Sequence, residues 1–213
     1  MGRFRAMLLG VAEYDDPRIQ ALPFVNDDIV DVATVLEARG YEVEVPSGGG
    51  RLGRTRIMTE VNSFLTSAQR GDTLLVYLSG HGVHADQCDY LVPSDADQGW
   101  PKLAEVCVPL TAWGPSIEGS PADGVLFLVD ACREGFLENS KSLVARTGWA
   151  HNKIASAARR HVAWMFPCAP GQVARFCTEA AGLGEQVRPF SLFLPCRGKV
   201  GGGLVGTADA GPV

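Results

Sequence analysis

Apolar residues in this chain fall into two patterns: short unbroken runs, and stretches where they recur every three or four positions. Ala6 to Val11, Leu74 to Leu78 and Val125 to Val129 are runs of the first kind, each ending at small or polar residues. Such runs read as strands buried on both faces of a parallel sheet. Val25, Ile29, Val32 and Leu36 keep helical spacing ahead of Gly40. Ile57, Val61, Phe64 and Leu65 do the same ahead of Gly71, and glycine is a common helix stop. Tyr41 to Val45 alternates as a strand, followed by a flexible Ser47-Gly48-Gly49-Gly50 loop. Cys88 to Val92 suggests a short hairpin. From Ser94 to Gly124 the pattern is irregular, and Gly114-Pro115 interrupts the helical candidate Thr111 to Glu118. Beyond the third long run, Glu134 to Ala150 is mostly polar and reads as a loop, Ile154 to Arg160 as a helix and His161 to Phe166 as a further strand. Strands alternating with helices predict an α/β fold, with a mostly parallel central sheet flanked by helices. No internal repeat is visible.

Composition narrows the class. The chain has 213 residues, of which 46% are hydrophobic and 20% charged, enough apolar material for one large core. Net charge is −5 and no block of like charges stands out, which disfavours nucleic acid or an anionic membrane as partner. No apolar stretch approaches the roughly 18 residues of a membrane span. The apolar part of the first segment is short and runs into Glu13, Asp15 and Asp16, so it reads as a strand rather than a secretory leader. The six cysteines, Cys88, Cys107, Cys132, Cys168, Cys177 and Cys196, form no CxxC pair and no regular spacing. They read as free thiols of a cytoplasmic protein, and no clustered ligand set for zinc appears. Gly201 to Val213 holds mostly small residues, with little to bury. The expected organisation is a domain over 1–193 and a glycine-rich tail over 194–213, disordered or the end of a truncated fold.

The chemistry concentrates at two strand ends, Ser79-Gly80-His81-Gly82 and Asp130-Ala131-Cys132. A cysteine ending a buried strand is by itself an ordinary small core residue, and a histidine between glycines an ordinary turn residue. Together they are more restrictive, because the carboxyl edge of an open α/β sheet is where ligands bind. A thiol beside an imidazole makes a nucleophile and its base. An acyl-transfer reaction also needs donors for the oxyanion, and the N–H groups of Gly82 and Cys132 are the candidates.

These two segments resemble those of the caspase-like cysteine peptidases, over most of the chain from Arg5 to about Phe193. Asn26-Asp27-Asp28, Asp89-Tyr90-Leu91-Val92-Pro93-Ser94-Asp95 and Cys168-Ala169-Pro170-Gly171-Gln172 support the resemblance. It is closer to metacaspases and bacterial orthocaspases than to animal caspases, whose signature places glutamine two residues before the nucleophile, where this chain has Asp130. The resemblance implies a caspase-like sandwich, His81 and Cys132 as catalytic dyad, and an S1 pocket formed by Asp27, Ser79 and Asp130. That pocket implies cleavage after arginine or lysine in a protein or peptide substrate. Many metacaspases need calcium, but Val83-His84-Ala85-Asp86-Gln87-Cys88-Asp89 is poor in oxygen ligands. No metal and no organic cofactor is therefore expected, and His84 reads as a solvated loop residue. Lys141, Arg146 and Lys153 are candidate self-cleavage positions in the polar stretch. Two other classes stay open: an inactive caspase-like recruitment or regulatory module, and a redox-sensing thiol at Cys132. The sequence carries no signal for oligomeric state.

Overall fold

The computed structural model describes residues 2–85, 88–131 and 161–166. Five strands form one parallel sheet in the order β2-β1-β3-β7-β8. They are β1 (Phe4–Gly10), β2 (Glu42–Glu44), β3 (Thr73–Gly80), β7 (Gly124–Ala131) and β8 (His161–Met165). A second, antiparallel sheet holds β4 (Gly82–Ala85), β5 (Cys88–Leu91) and β6 (Val108–Pro109). The helices are α1 (Phe24–Glu37), α2 (Arg54–Thr66), α3 (Leu103–Val106) and α4 (Gly114–Gly119), with a 3-10 turn at Leu110–Trp113. This is the α/β architecture expected from the sequence, a mostly parallel sheet flanked by helices.

Each long apolar run is buried on both faces because a helical layer covers each side of the sheet. Alternate residues of a strand point to opposite faces. Met7, Leu9, Leu74, Val76, Leu78, Val125, Phe127 and Val129 therefore pack with Ile57, Val61, Phe64 and Leu65 of α2 and with Trp113 and Ile117. Ala6, Leu8, Leu75, Tyr77 and Leu128 face the other way, onto Val25, Ile29, Val32 and Leu36 of α1. On the α2 side, Trp113, Phe127 and Trp164 stack in succession, with centroids 5.9 Å and 4.0 Å apart. That stack holds β8 against β7. Gly10 lets α1 sit close to the carboxyl edge, because a Cβ there would lie 2.7 Å from Val25 Cγ1 and 2.8 Å from Ile29 Cγ1.

Three expectations need correction. The hairpin begins earlier than the Cys88–Val92 pattern suggests, with Gly82–Ala85 already a strand paired to Cys88–Leu91. His84 is accordingly no solvated loop residue: its side chain is 13% exposed and its Nδ1 lies 2.7 Å from Asp89 Oδ1 across the hairpin. Gly114-Pro115 does not break a helix but starts one, since proline in the first turn sacrifices no intrahelical bond. The polar loop, the helix expected at Ile154–Arg160, the self-cleavage candidates, Cys132, Cys168 and the tail lie outside the described residues.

Candidate active site

The strand order reverses between β1 and β3. The connection from β1 runs to α1 on one face, whereas the chain after β3 reaches Leu110, Trp113 and Ile117 on the other. Ligands of open α/β sheets bind in the crevice that such a divergence opens at the carboxyl edge. His81 stands there, one residue beyond β3.

The register at this edge is direct. Ser79 pairs with Asp130 and Gly80 with Ala131 on adjacent parallel strands. His81 and Cys132 are therefore each the next residue in sequence after a paired position. Gly80 adopts φ +155°, and a Cβ on it would meet Val11 Cβ and O at 3.3 Å. Glycine thus allows β3 to pass tightly against β1 just before the histidine.

A strap formed by residues 11–22 closes over the edge. Val11 N–H donates to Ser79 O (2.8 Å), Ala12 N–H to Gly50 O (2.7 Å), Asp15 N–H to Ser94 O (2.8 Å) and Leu22 N–H to Ala12 O (2.7 Å). Inside it, buried Asp16 accepts from Arg18 Nη2 (2.6 Å), Arg18 N (3.0 Å) and Gln98 N (2.9 Å). The Arg18 guanidinium holds the Asp16 carboxyl well below the usual carboxylate range. His81 meets this strap twice. Its Nε2 lies 2.8 Å from the carbonyl oxygen of Gln20, and its backbone N–H donates to the Tyr14 hydroxyl at 3.1 Å. A carbonyl only accepts, so the neutral ring carries its proton on Nε2 and its lone pair on Nδ1.

Beneath the histidine, Tyr77, Ser79 and Asp130 share the α1 side of the sheet by strand alternation. Ser79 and Asp130 are both fully buried, and the Tyr77 hydroxyl donates to Asp130 Oδ2 at 3.2 Å. Ser79 Oγ is buried, with no hydrogen-bond partner among the described residues. Asp27 is exposed in the first turn of α1, whereas its neighbour Asp28 is buried on the inner face of that helix. Gly82 is buried and opens β4. The structure thus brings His81, Gly82, Ser79 and Asp130 to one edge, with Asp27 on the exposed side of α1. The Gln20 carbonyl and Tyr14 were not legible beforehand: every residue has a carbonyl, and Tyr14 lies 67 positions from His81. Among the described residues, no group of three or more His, Cys, Asp or Glu is placed to hold a metal. No helix among them is long and apolar enough to cross a membrane. Of the described thiols, Cys107 is unsuited to nucleophilic work, because burial pushes it up to about 12.

The family model for the caspase domain matches residues 3–183. The chain belongs to that family of cysteine peptidases. A crystal structure of a Geobacter sulfurreducens protein aligns with a TM-score of 0.46 at 18% identity, over 61% of this chain and 50% of that one. This chain thus spans half the length of that structure. A comparison with curated proteins finds no match.

Proposed function

We propose that the chain is an active cysteine endopeptidase of the metacaspase and orthocaspase kind, cleaving after arginine or lysine in a reducing cytoplasm. The observation that carries the reading is the β3–β7 register, in which Gly80 opposes Ala131. Adjacent strands run about 4.8 Å apart, so the residues that follow this pair start from neighbouring backbone positions.

The chemistry follows from the ring's tautomer. Nδ1 of His81 takes the proton of the Cys132 thiol, and the thiolate attacks the scissile carbonyl carbon. The N–H groups of Gly82 and Cys132 receive the oxyanion. As the intermediate collapses, the C–N bond breaks and the imidazolium returns its proton to the leaving amine, leaving a thioester. Water then gives a proton to His81 and attacks the thioester, releasing the carboxylic acid and the thiol. Through both steps the Gln20 carbonyl accepts from Nε2–H and steadies the positive ring.

Asp130 and Ser79 supply the buried floor of the P1 pocket and Asp27 its outer carboxylate. A guanidinium meets a carboxylate through two charge-assisted bonds and an ammonium as a point charge, whereas an aspartate side chain would meet like charge. Hydrolysis of matched peptides differing only at P1 tests the reading. Arginine should lead, lysine follow and aspartate fail. Cys132→Ala and His81→Ala should each abolish turnover with the circular dichroism spectrum unchanged. Preference for aspartate overturns the pocket, and cleavage by Cys132→Ala overturns the mechanism. A folded wild type that cleaves nothing favours the inactive recruitment module.

A further inference from the structure

We propose that Tyr14 is a positioning residue that holds the His81 imidazole in the tautomer needed for catalysis. The proposal rests on the peptidase reading above and adds a residue to it. Tyr14 is wedged where the sheet layers diverge. Its half-buried ring packs against hydrophobic groups on both faces of the main sheet and against the small sheet's core around Val83 and Tyr90. Its hydroxyl accepts the His81 backbone N–H at 3.1 Å and donates to Val11 O at 3.0 Å. Val11 N–H in turn donates to Ser79 O, two residues before the histidine. The two aromatic rings lie 5.2 Å apart, inclined at 42°. Main chain, phenol and strap therefore form one closed circuit around His81.

The same strap carries the Gln20 carbonyl that accepts from Nε2. His81 is thus held by its backbone N–H through Tyr14 and by its ring through Gln20, while its carbonyl accepts from Val92 N–H at 2.9 Å. The Val92 bond ties the far side of the His81 peptide to the small sheet, so the Tyr14 hydroxyl sets how the near side sits against the strap that carries Gln20. If the backbone of His81 shifts, the Nε2–H bond to Gln20 lengthens and the neutral ring populates the tautomer protonated on Nδ1. In that form Nδ1 has no lone pair for the thiol proton. The turn that presents Gln20 is kept rigid separately, by Asp16 gripping Arg18 and the backbone of Gln98. The hydroxyl of Tyr14 is accordingly the side-chain link between that strap and the His81 backbone N–H.

Tyr14→Phe removes the hydroxyl and keeps the ring packing. For an arginine peptide, kcat should fall roughly 5- to 50-fold while KM stays within about twofold, and the melting temperature should change little. The second readout does not need turnover. The chain has four histidines, so a His81→Gln control identifies the His81 ring in 15N spectra. In wild type its nitrogen shifts should report protonation at Nε2 in the neutral ring; in Tyr14→Phe they should move toward values averaged over both tautomers. Unchanged kcat with an unchanged spectrum overturns the proposal. So does a fall in kcat that tracks lost thermal stability while the tautomer stays fixed. A wild type that cleaves no peptide would sink the peptidase reading alone, and the ring spectra would still decide whether Tyr14 orients His81.

Discussion

Tyr77 and Asp130 share a hydrogen bond out of reach of solvent: both are fully buried, on adjacent strands that lead to the carboxyl edge. A carboxylate removed from water must be compensated by donors, and withdrawing one leaves it partly desolvated without return. Tyr77→Phe deletes a single oxygen and keeps the ring in the α1-side core. It should cost about 1–2 kcal/mol in urea-monitored unfolding and weaken selection of arginine over neutral P1 residues, because the carboxylate is less firmly aimed. Unchanged stability and unchanged P1 selectivity would show that Asp130 is held by its other contacts. The resemblance to metacaspases is what pointed to Asp130 and Ser79, through motifs at strand ends that apolar runs make conspicuous. It did not reach Tyr77, which inside Leu74-Leu75-Val76-Tyr77-Leu78 reads as one more core residue until its hydroxyl is seen to have a partner. Asp27 illustrates the opposite limit. Helical spacing places it at the start of α1 but does not say that Asp28, one residue on, is the carboxylate turned inward.

Among the elements, the three long strands and the two long helices were legible, since each has enough periodic residues to define a buried face. β4 was not, because Gly82-Val83-His84-Ala85 has too few residues for alternation to register, and its strand character comes from pairing with β5. α2 shows another reason. Its N-cap is Gly53, which has no side chain to receive the first N–H groups. The cap comes from elsewhere: Asp95 Oδ1 accepts the Arg54 N–H at 2.8 Å, across 41 residues of sequence. Arg54 then reaches Cys107 O with its Nε at 3.0 Å, so the helix start is tied to the small sheet. Asp95→Ala should lower unfolding free energy by about 0.5–2 kcal/mol, as for other lost caps, and Asp95→Asn should retain most of it. Equal stability of Asp95→Ala and wild type in urea would show that solvent satisfies the Arg54 N–H as well as the carboxylate does.

Across the whole molecule the two edges of the main sheet have different work. The carboxyl edge carries the candidate chemistry. The amino edge carries a carboxylate clamp in which Asp72, 1% exposed, accepts from Arg3 Nη2 (2.7 Å), Arg3 N (3.1 Å) and Gln69 N (2.9 Å). The clamp joins the segments leading into β1 and β3. The Arg3 guanidinium is the main cause that lowers the Asp72 pKa from 3.8 to about 2, ahead of the opposing effect of burial. A group whose pKa is depressed by folding stabilises the native state once it is ionised in both states, here above about pH 4. That contribution is lost as pH falls from about 4 toward 2, where the native carboxyl also takes up its proton. Asp16, lowered in the same direction by Arg18, adds to the same acid sensitivity at the opposite edge. Because the Arg3 side chain is 37% exposed, solvent screens the pair, and its contribution at neutral pH should be about 1–2 kcal/mol. Asp72→Asn should therefore be less stable than wild type by that amount at pH 6. The gap should close progressively below pH 4, be small near pH 2 and vanish only below it. Urea unfolding of both chains across that range gives the comparison. A gap that stays constant with pH would assign the clamp's worth to hydrogen-bond geometry rather than to the charge on Asp72.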